Sequence, residues 1–190
     1  MLEKNRYALK EWAVVVNALL TGKQVMLLRK GGIFEKRGEF EVEHREFFLF
    51  PTLYHEKENE LVPSVRAEVA AAEKNYPIGA ELRLPGYCTV DDHRWVEDLD
   101  KLKGLEGLHP LTPSAVEYRF NYGKQRGLHV LTLRAFRLDE PHVLPMERCY
   151  DGCVSWVDLA RELPTCGASP VLPDSAYAER AAAVRGRLGA

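Results

Sequence analysis

The sequence predicts an α+β chain: a mixed or mostly antiparallel β-sheet, or a small barrel, with flanking helices. Three observations carry that expectation. Helix-like and strand-like segments alternate only in part, and several strand-like segments follow one another, unlike a regular doubly wound sheet. Turn signals such as Lys30-Gly31-Gly32 and Pro85-Gly86 interrupt the extended stretches. Apolar content of 46% with 28% charged residues is that of an ordinary folded domain.

Leu9, Trp12, Ala13, Val16, Leu19 and Leu20 recur at helical spacing, so a helix is expected over 9–20, with Gly22 as its stop. Residues 24–29 read as a buried strand, because the run Val25 to Leu28 is too short to be a helix of its own. Phe40, Val42 and Phe47-Phe48-Leu49-Phe50 predict a second extended segment closed by Pro51. Leu61, Val65, Val69 and Ala72 lie three or four apart, giving a helix over 63–75 with proline in its first turn. Residues 81–90 read as extended and 98–105 as a short helix. In 112–122 the start Thr112-Pro113-Ser114 favours a helix, although Val116, Tyr118, Phe120 and Tyr122 alternate as a strand would. Residues 127–138, rich in Leu, Val, Thr and Phe, are a clear strand. A short helix is expected over 154–163. Pro173-Asp174-Ser175 opens a last Ala/Arg helix to residue 187. The expected organisation is one α+β domain over 1–167 and a helical extension over 168–190.

A chain of 190 residues buries roughly 70% of its unfolded surface in one core and needs no metal or disulfide to fold. Formal net charge is -2, so nucleic-acid binding must come from a local patch rather than the whole-molecule field. No apolar run approaches the ~20 residues of a membrane-spanning helix. Residues 1–10 are charged and lead into no small-residue cleavage site, so a cytoplasmic location without membrane association is expected. Four cysteines (Cys88, Cys149, Cys153 and Cys166) make no disulfide framework at this length.

Two cations and two glycines, Arg29-Lys30-Gly31-Gly32, form a candidate anion site: flexible backbone turns N–H groups into one concavity and arginine adds a bidentate contact. The same glycines equally suit a plain hairpin turn. Lys10 and Glu11 stand beside Trp12, where Glu11 would act as base or metal ligand. His55 follows a buried strand end and has the pKa range of an acid, base or ligand. Asp91-Asp92-His93 offers oxygen and nitrogen ligands to a divalent cation. Cys149 and Cys153 with Cys166 and His142 are candidate zinc ligands, without the usual knuckle spacing. Arg119, Lys124, Arg126, Arg134 and Arg137 interleave with Tyr118, Phe120, Tyr122 and Phe136, which suits phosphate contacts plus base stacking or, equally, a core with a wet arginine face.

The blocks Leu9-Lys10-Glu11-Trp12-Ala13, Ala18-Leu19-Leu20-Thr21-Gly22-Lys23-Gln24, Leu27 to Ile33 and Phe48-Leu49-Phe50-Pro51-Thr52, with His55, resemble the bacterial domain-of-unknown-function family 1802 (DUF1802). The strand Leu131 to Leu138 with Pro141, and Gly152-Cys153 with Ser155-Trp156-Val157, extend that resemblance over most of the chain. It implies no assigned chemistry. The opening block, with Gly22-Lys23, a strand and Arg29, also resembles ASCH domains, small PUA-related barrels that handle RNA or modified nucleosides. The leading expectation is a nucleic-acid-associated protein, RNA or DNA, holding phosphate with Lys10, Arg29, Lys30, Gly31, Gly32, Arg119 and Arg134. The alternative is a phosphodiesterase using Mg²⁺ or Mn²⁺, with a degenerate restriction-nuclease-like core and Glu11 and His55 as catalytic residues. A non-catalytic interaction protein is the third reading.

Overall fold

The computed structural model describes residues 1–30, 40–53, 58–76, 79 and 81–189. Gly31, Gly32 and His55 lie outside the described residues.

The chain is α+β. Its strands are β1 (Lys4–Trp12), β2 (Met26–Arg29), β3 (Glu46–Thr52), β4 (Glu81–Val96), β5 (Leu128–Pro145), β6 (Trp156–Pro164) and β7 (Ala168–Pro170). Its helices are α1 (Ala13–Leu20), α2 (Pro63–Asn75), α3 (Leu99–Lys103), α4 (Pro113–Asn121) and α5 (Asp174–Leu188). One sheet runs in the order β2-β5-β4-β3-β1-β6, with β7 paired to β5. Strands β1 and β3 are parallel, with Lys10 opposite Phe50 and Glu11 opposite Pro51; the other pairings are antiparallel.

Both faces of the sheet are covered, which explains the unbroken apolar run in β3. Phe47 and Leu49 enter a large cluster with α1, α4 and α5, whereas Phe48 and Phe50 enter a second cluster with Leu84, Tyr87, Tyr150 and Val157. The long strands β4 and β5 serve both clusters. Leu82 and Leu144 belong to the second, Val90 and Leu131 to the first. Tyr177, Ala181, Val184 and Leu188 of α5 join the large cluster.

Two segments expected as helices are strand in whole or in part. The helix expected over 9–20 begins only at Ala13; the residues before it form β1, in which Ala8 feeds one cluster and Leu9 the other. The apparent helical spacing arose where a two-sided strand runs directly into a helix. Residues 154–163 are not a helix either. Val157 and Leu159 are buried around an exposed Asp158, the alternation of a strand. Between Asp158 and Leu163 the register shifts against β1, and Ala160 takes φ 58° while its N–H donates to Asp158 Oδ1 at 2.9 Å.

The helix boundaries follow local chemistry. The N–H of Gly22 donates to Leu19 O at 3.1 Å and that of Lys23 to Ala18 O at 2.9 Å, a Schellman stop with Gly22 at φ 69°. Thr112 Oγ1 accepts from Ala115 N at 3.3 Å and caps α4.

Candidate functional site

The ends of the parallel strands β1 and β3 open into a cleft of about 1140 Å³. Its floor carries Lys10, Glu11, Arg29 and Phe50. One wall is the segment Tyr150 to Val154; others come from Lys74, Asn75 and Tyr76 at the end of α2, and from Glu81, Leu82 and Arg83 at the start of β4. Trp12 and Arg119 stand together at a further edge.

Successive strand residues point to opposite faces, so Lys10 and Glu11 leave β1 on different sides. Both still reach the cleft, because the strand ends there. The Lys10 ammonium donates to the carbonyls of Tyr150 and Gly152 (2.9 Å for the latter) and lies 5.5 Å from the Phe50 ring centre. Burial holds its pKa below the ordinary lysine value, with Asp151 and Cys153 opposing that shift. Lys10 thus ties the Tyr150–Gly152 wall to β1.

The Glu11 side chain is 8% exposed. Its Oε1 accepts from its neighbour Trp12 N at 2.8 Å, and its Oε2 accepts from Arg29 Nη1 at 2.9 Å. Arg29 also donates through Nη1 to Lys10 O at 3.1 Å and through Nη2 to Ser155 Oγ at 2.6 Å, while its guanidinium lies 5.2 Å from the Phe40 ring centre. Strand β2 is one end of the sheet and β6 the other, so this single side chain ties the two ends together. Its buried Nε finds no acceptor among the described residues.

Arg119 reaches from α4, with Nη2 3.3 Å from Glu60 Oε2 and its guanidinium 4.6 Å from the Trp12 ring centre. A planar cation on an indole makes a flat, charged edge to the cleft. Among the described residues the lining sets five cations (Lys10, Arg29, Lys74, Arg83 and Arg119) against three carboxylates (Glu11, Glu81 and Asp151), in a chain whose net charge is negative.

Of the residues expected at a site, Lys10, Glu11, Arg29 and Arg119 therefore share one cleft. Lys30 and Arg134 are not among its lining residues. Lys30 extends toward the loop between α4 and β5, where its ammonium donates to the carbonyls of Gln125 and Gly127 (2.7 Å for the latter) and sits 5.1 Å from the Trp95 ring centre. Arg134 pairs with Asp174 at the start of α5 and stacks 5.1 Å from the Tyr177 ring centre. Among the remaining candidates, Asp92 pairs with Arg94 at 2.9 Å, and His93 Nε2 lies 2.8 Å from His129 Nδ1. Among the described residues no group of three or more His, Cys, Asp or Glu side chains is placed to hold a metal ion. Sequence reasoning missed Lys74 and Arg83. Each is a single cation in an amphipathic element, and nothing local separates it from a solvated one.

No helix among the described residues is long and apolar enough to cross a membrane. No curated protein matches the sequence. Solved structures similar to the chain include ASCH from Zymomonas mobilis, at 10% identity and TM-score 0.45 over 93% of this chain and 92% of that one. A serine-to-alanine mutant of that protein matches at 11% identity and TM-score 0.44, over 96% of this chain and 98% of that one. The blocks that line the cleft, from the end of β1 through β2 and β3 to the Gly152-Cys153 wall, all fall within residues 8–183, which match the family model described as Domain of unknown function (DUF1802), and the chain belongs to that family.

Proposed function

We propose that the cleft binds the phosphodiester backbone of a nucleic acid. The observation that supports this is the gathering of Lys10, Arg29, Lys74, Arg83 and Arg119 around one concave surface in a chain of net charge -2. Such a local excess of cations attracts a polyanion although the molecule as a whole does not. The Arg119–Trp12 edge adds a planar surface suited to an unstacked base.

Fluorescence anisotropy with labelled short RNA and DNA strands tests this reading. Binding is expected at low salt, with affinity falling steeply as salt rises. Lys74→Ala and Arg119→Ala are each expected to weaken binding across sequences and to reduce the salt slope by about 1. Absence of salt-sensitive binding at about 50 mM salt overturns the reading.

The phosphodiesterase alternative draws on Glu11, which does line the cleft. Its carboxylate is occupied by Arg29 and by Trp12 N, so a metal would have to displace the guanidinium. That arrangement favours binding over metal-assisted cleavage.

A further inference from the structure

We infer that the C-terminal end of α4 carries a second contact for the same ligand: a two-tyrosine platform, Tyr118 and the capping residue Tyr122, on which bases of a single strand stack after it leaves the cleft. This rests on the phosphate-binding reading of the cleft and adds to it a substrate class, single-stranded rather than duplex nucleic acid.

Among the described residues the exposed aromatic side chains are Tyr118, at 61%, and Tyr122, at 40%. They lie side by side. Their ring centres are 6.3 Å apart and the planes are inclined by 39°, a tilted pair rather than a stacked one. Tyr118 and Arg119 are consecutive on α4, and Tyr122, the residue that caps its C-terminus, donates its N–H to Arg119 O at 3.2 Å. Arg119 is the residue that reaches the cleft edge over Trp12. Platform and cleft edge are thus built on the same end of α4.

The charge around the rings suits a polyanion. Lys124 and Arg126 follow directly and are exposed. Arg126 lies 5.2 Å from the Phe120 ring centre and donates to Asn121 Oδ1 at 3.1 Å. The one carboxylate of α4, Glu117, is paired with Lys103 at 3.0 Å. Glu97 and Asp98 line a shallow depression beyond Arg126, and Asp98 there caps α3 through Asp100 N and Lys101 N. Open aromatic faces with interspersed cations are what single strands use, since every base has a π-face and no sequence need be read. A duplex keeps its bases stacked on each other and offers none to the tyrosines.

The test compares uridine 5′-monophosphate with a labelled uridine octanucleotide, on the wild type and on Tyr118→Ala, Tyr122→Ala and Tyr→Phe variants at both positions. The expected result is a roughly tenfold loss of octanucleotide affinity for each alanine, with retention by phenylalanine. Monophosphate affinity and the salt slope should stay unchanged, because stacking releases no counterions. Unchanged octanucleotide binding in the alanine variants overturns the platform while leaving the cleft reading intact. Equal losses for both ligands overturn it too, since they place the tyrosines' effect in the cleft. If neither ligand binds the wild type, the cleft reading itself fails and the platform with it. Self-association of the wild type that disappears in the alanine variants would make the pair a contact between copies of this chain, and would also overturn the inference.

Discussion

Arg29 and Glu11 form a pair that neither residue can leave cheaply. Both are largely withdrawn from water, and the guanidinium links three segments through Lys10 O, Glu11 Oε2 and Ser155 Oγ. Removing one partner strands the other charge in a poorly hydrated place, at a cost of about 3–5 kcal/mol. Arg29→Met should therefore lower the thermal midpoint by roughly 2–4 °C per kcal/mol lost, measurable by calorimetry. The double variant Glu11→Leu/Arg29→Met should regain much of that loss; a double variant as unstable as the single one would show that the hydrogen bonds to β1 and Ser155, not the ion pair, hold the sheet ends. His109 makes a second prediction at this scale. It is buried, accepts from Leu111 N through Nδ1 at 3.1 Å, and its pKa falls to about 4 through burial, with Arg119 adding to the effect. The folded state thus resists a proton that the unfolded chain takes up near pH 6.5. Stability from this group is fully present above pH 6.5 and is lost as pH falls toward 4, reaching about 3 kcal/mol at 1.36 kcal/mol per pH unit. Urea midpoints at neutral and acid pH check it. His109→Asn, which keeps an acceptor for Leu111, should flatten the dependence.

Strands β4 and β5 show how an element is bent to serve two cores. Their pairing shifts between Leu84 and Gly86, where Gly86 faces Arg137 while Leu84 faces His142, and Pro141 falls in the excess length of β5 at that gap. Gly86 is required by close approach: a Cβ there would stand 2.5 Å from Leu20 Cδ2 and 2.7 Å from the Phe136 carbonyl oxygen. The leucine tip can yield but the backbone carbonyl cannot. Gly86→Ala should cost about 1–3 kcal/mol, seen as an earlier urea midpoint. An unchanged midpoint would mean that the bulge relaxes freely. Both strands run past the ends that the sequence suggests. Beyond Val90 the sequence turns polar at Asp91, Asp92, His93 and Arg94, because that half of β4 has one wet face, and Pro141 looks like a terminator when it sits in a bulge. The helices were easier to see. Pro63, Thr112-Pro113 and Pro173 mark starts through chemistry confined to three or four residues.

At the scale of the molecule, the cleft is a product of topology. Lys10, Arg29, Lys74, Arg83 and Arg119 come from five elements, and the chain meets itself there because β2 and β6 end the sheet on opposite sides and Arg29 spans them. The neighbouring cation Lys30, just past the end of β2, does not line the cleft. It reaches the carbonyls of Gln125 and Gly127 and pins the loop after α4. Arg134 is spent in the same manner on Asp174 and Tyr177, holding α5 to the sheet. Of the five cations expected from sequence, Lys30 and Arg134 thus do not line the cleft, and two that do, Lys74 and Arg83, carried no local mark.

The sequence by itself determined the α+β class, the family, the caps and breakers of most helices, and the apolar runs that become buried strands. These follow from interactions between residues a few positions apart, or from burial that any apolar side chain seeks. Only the tertiary structure decided that residues 4–12 and 156–164 pair as strands, which arginines face a cleft, and that Tyr118 and Tyr122 stand exposed. Those outcomes depend on long-range pairing register, where a shift of one residue turns every side chain to the other face, and no local pattern encodes that choice.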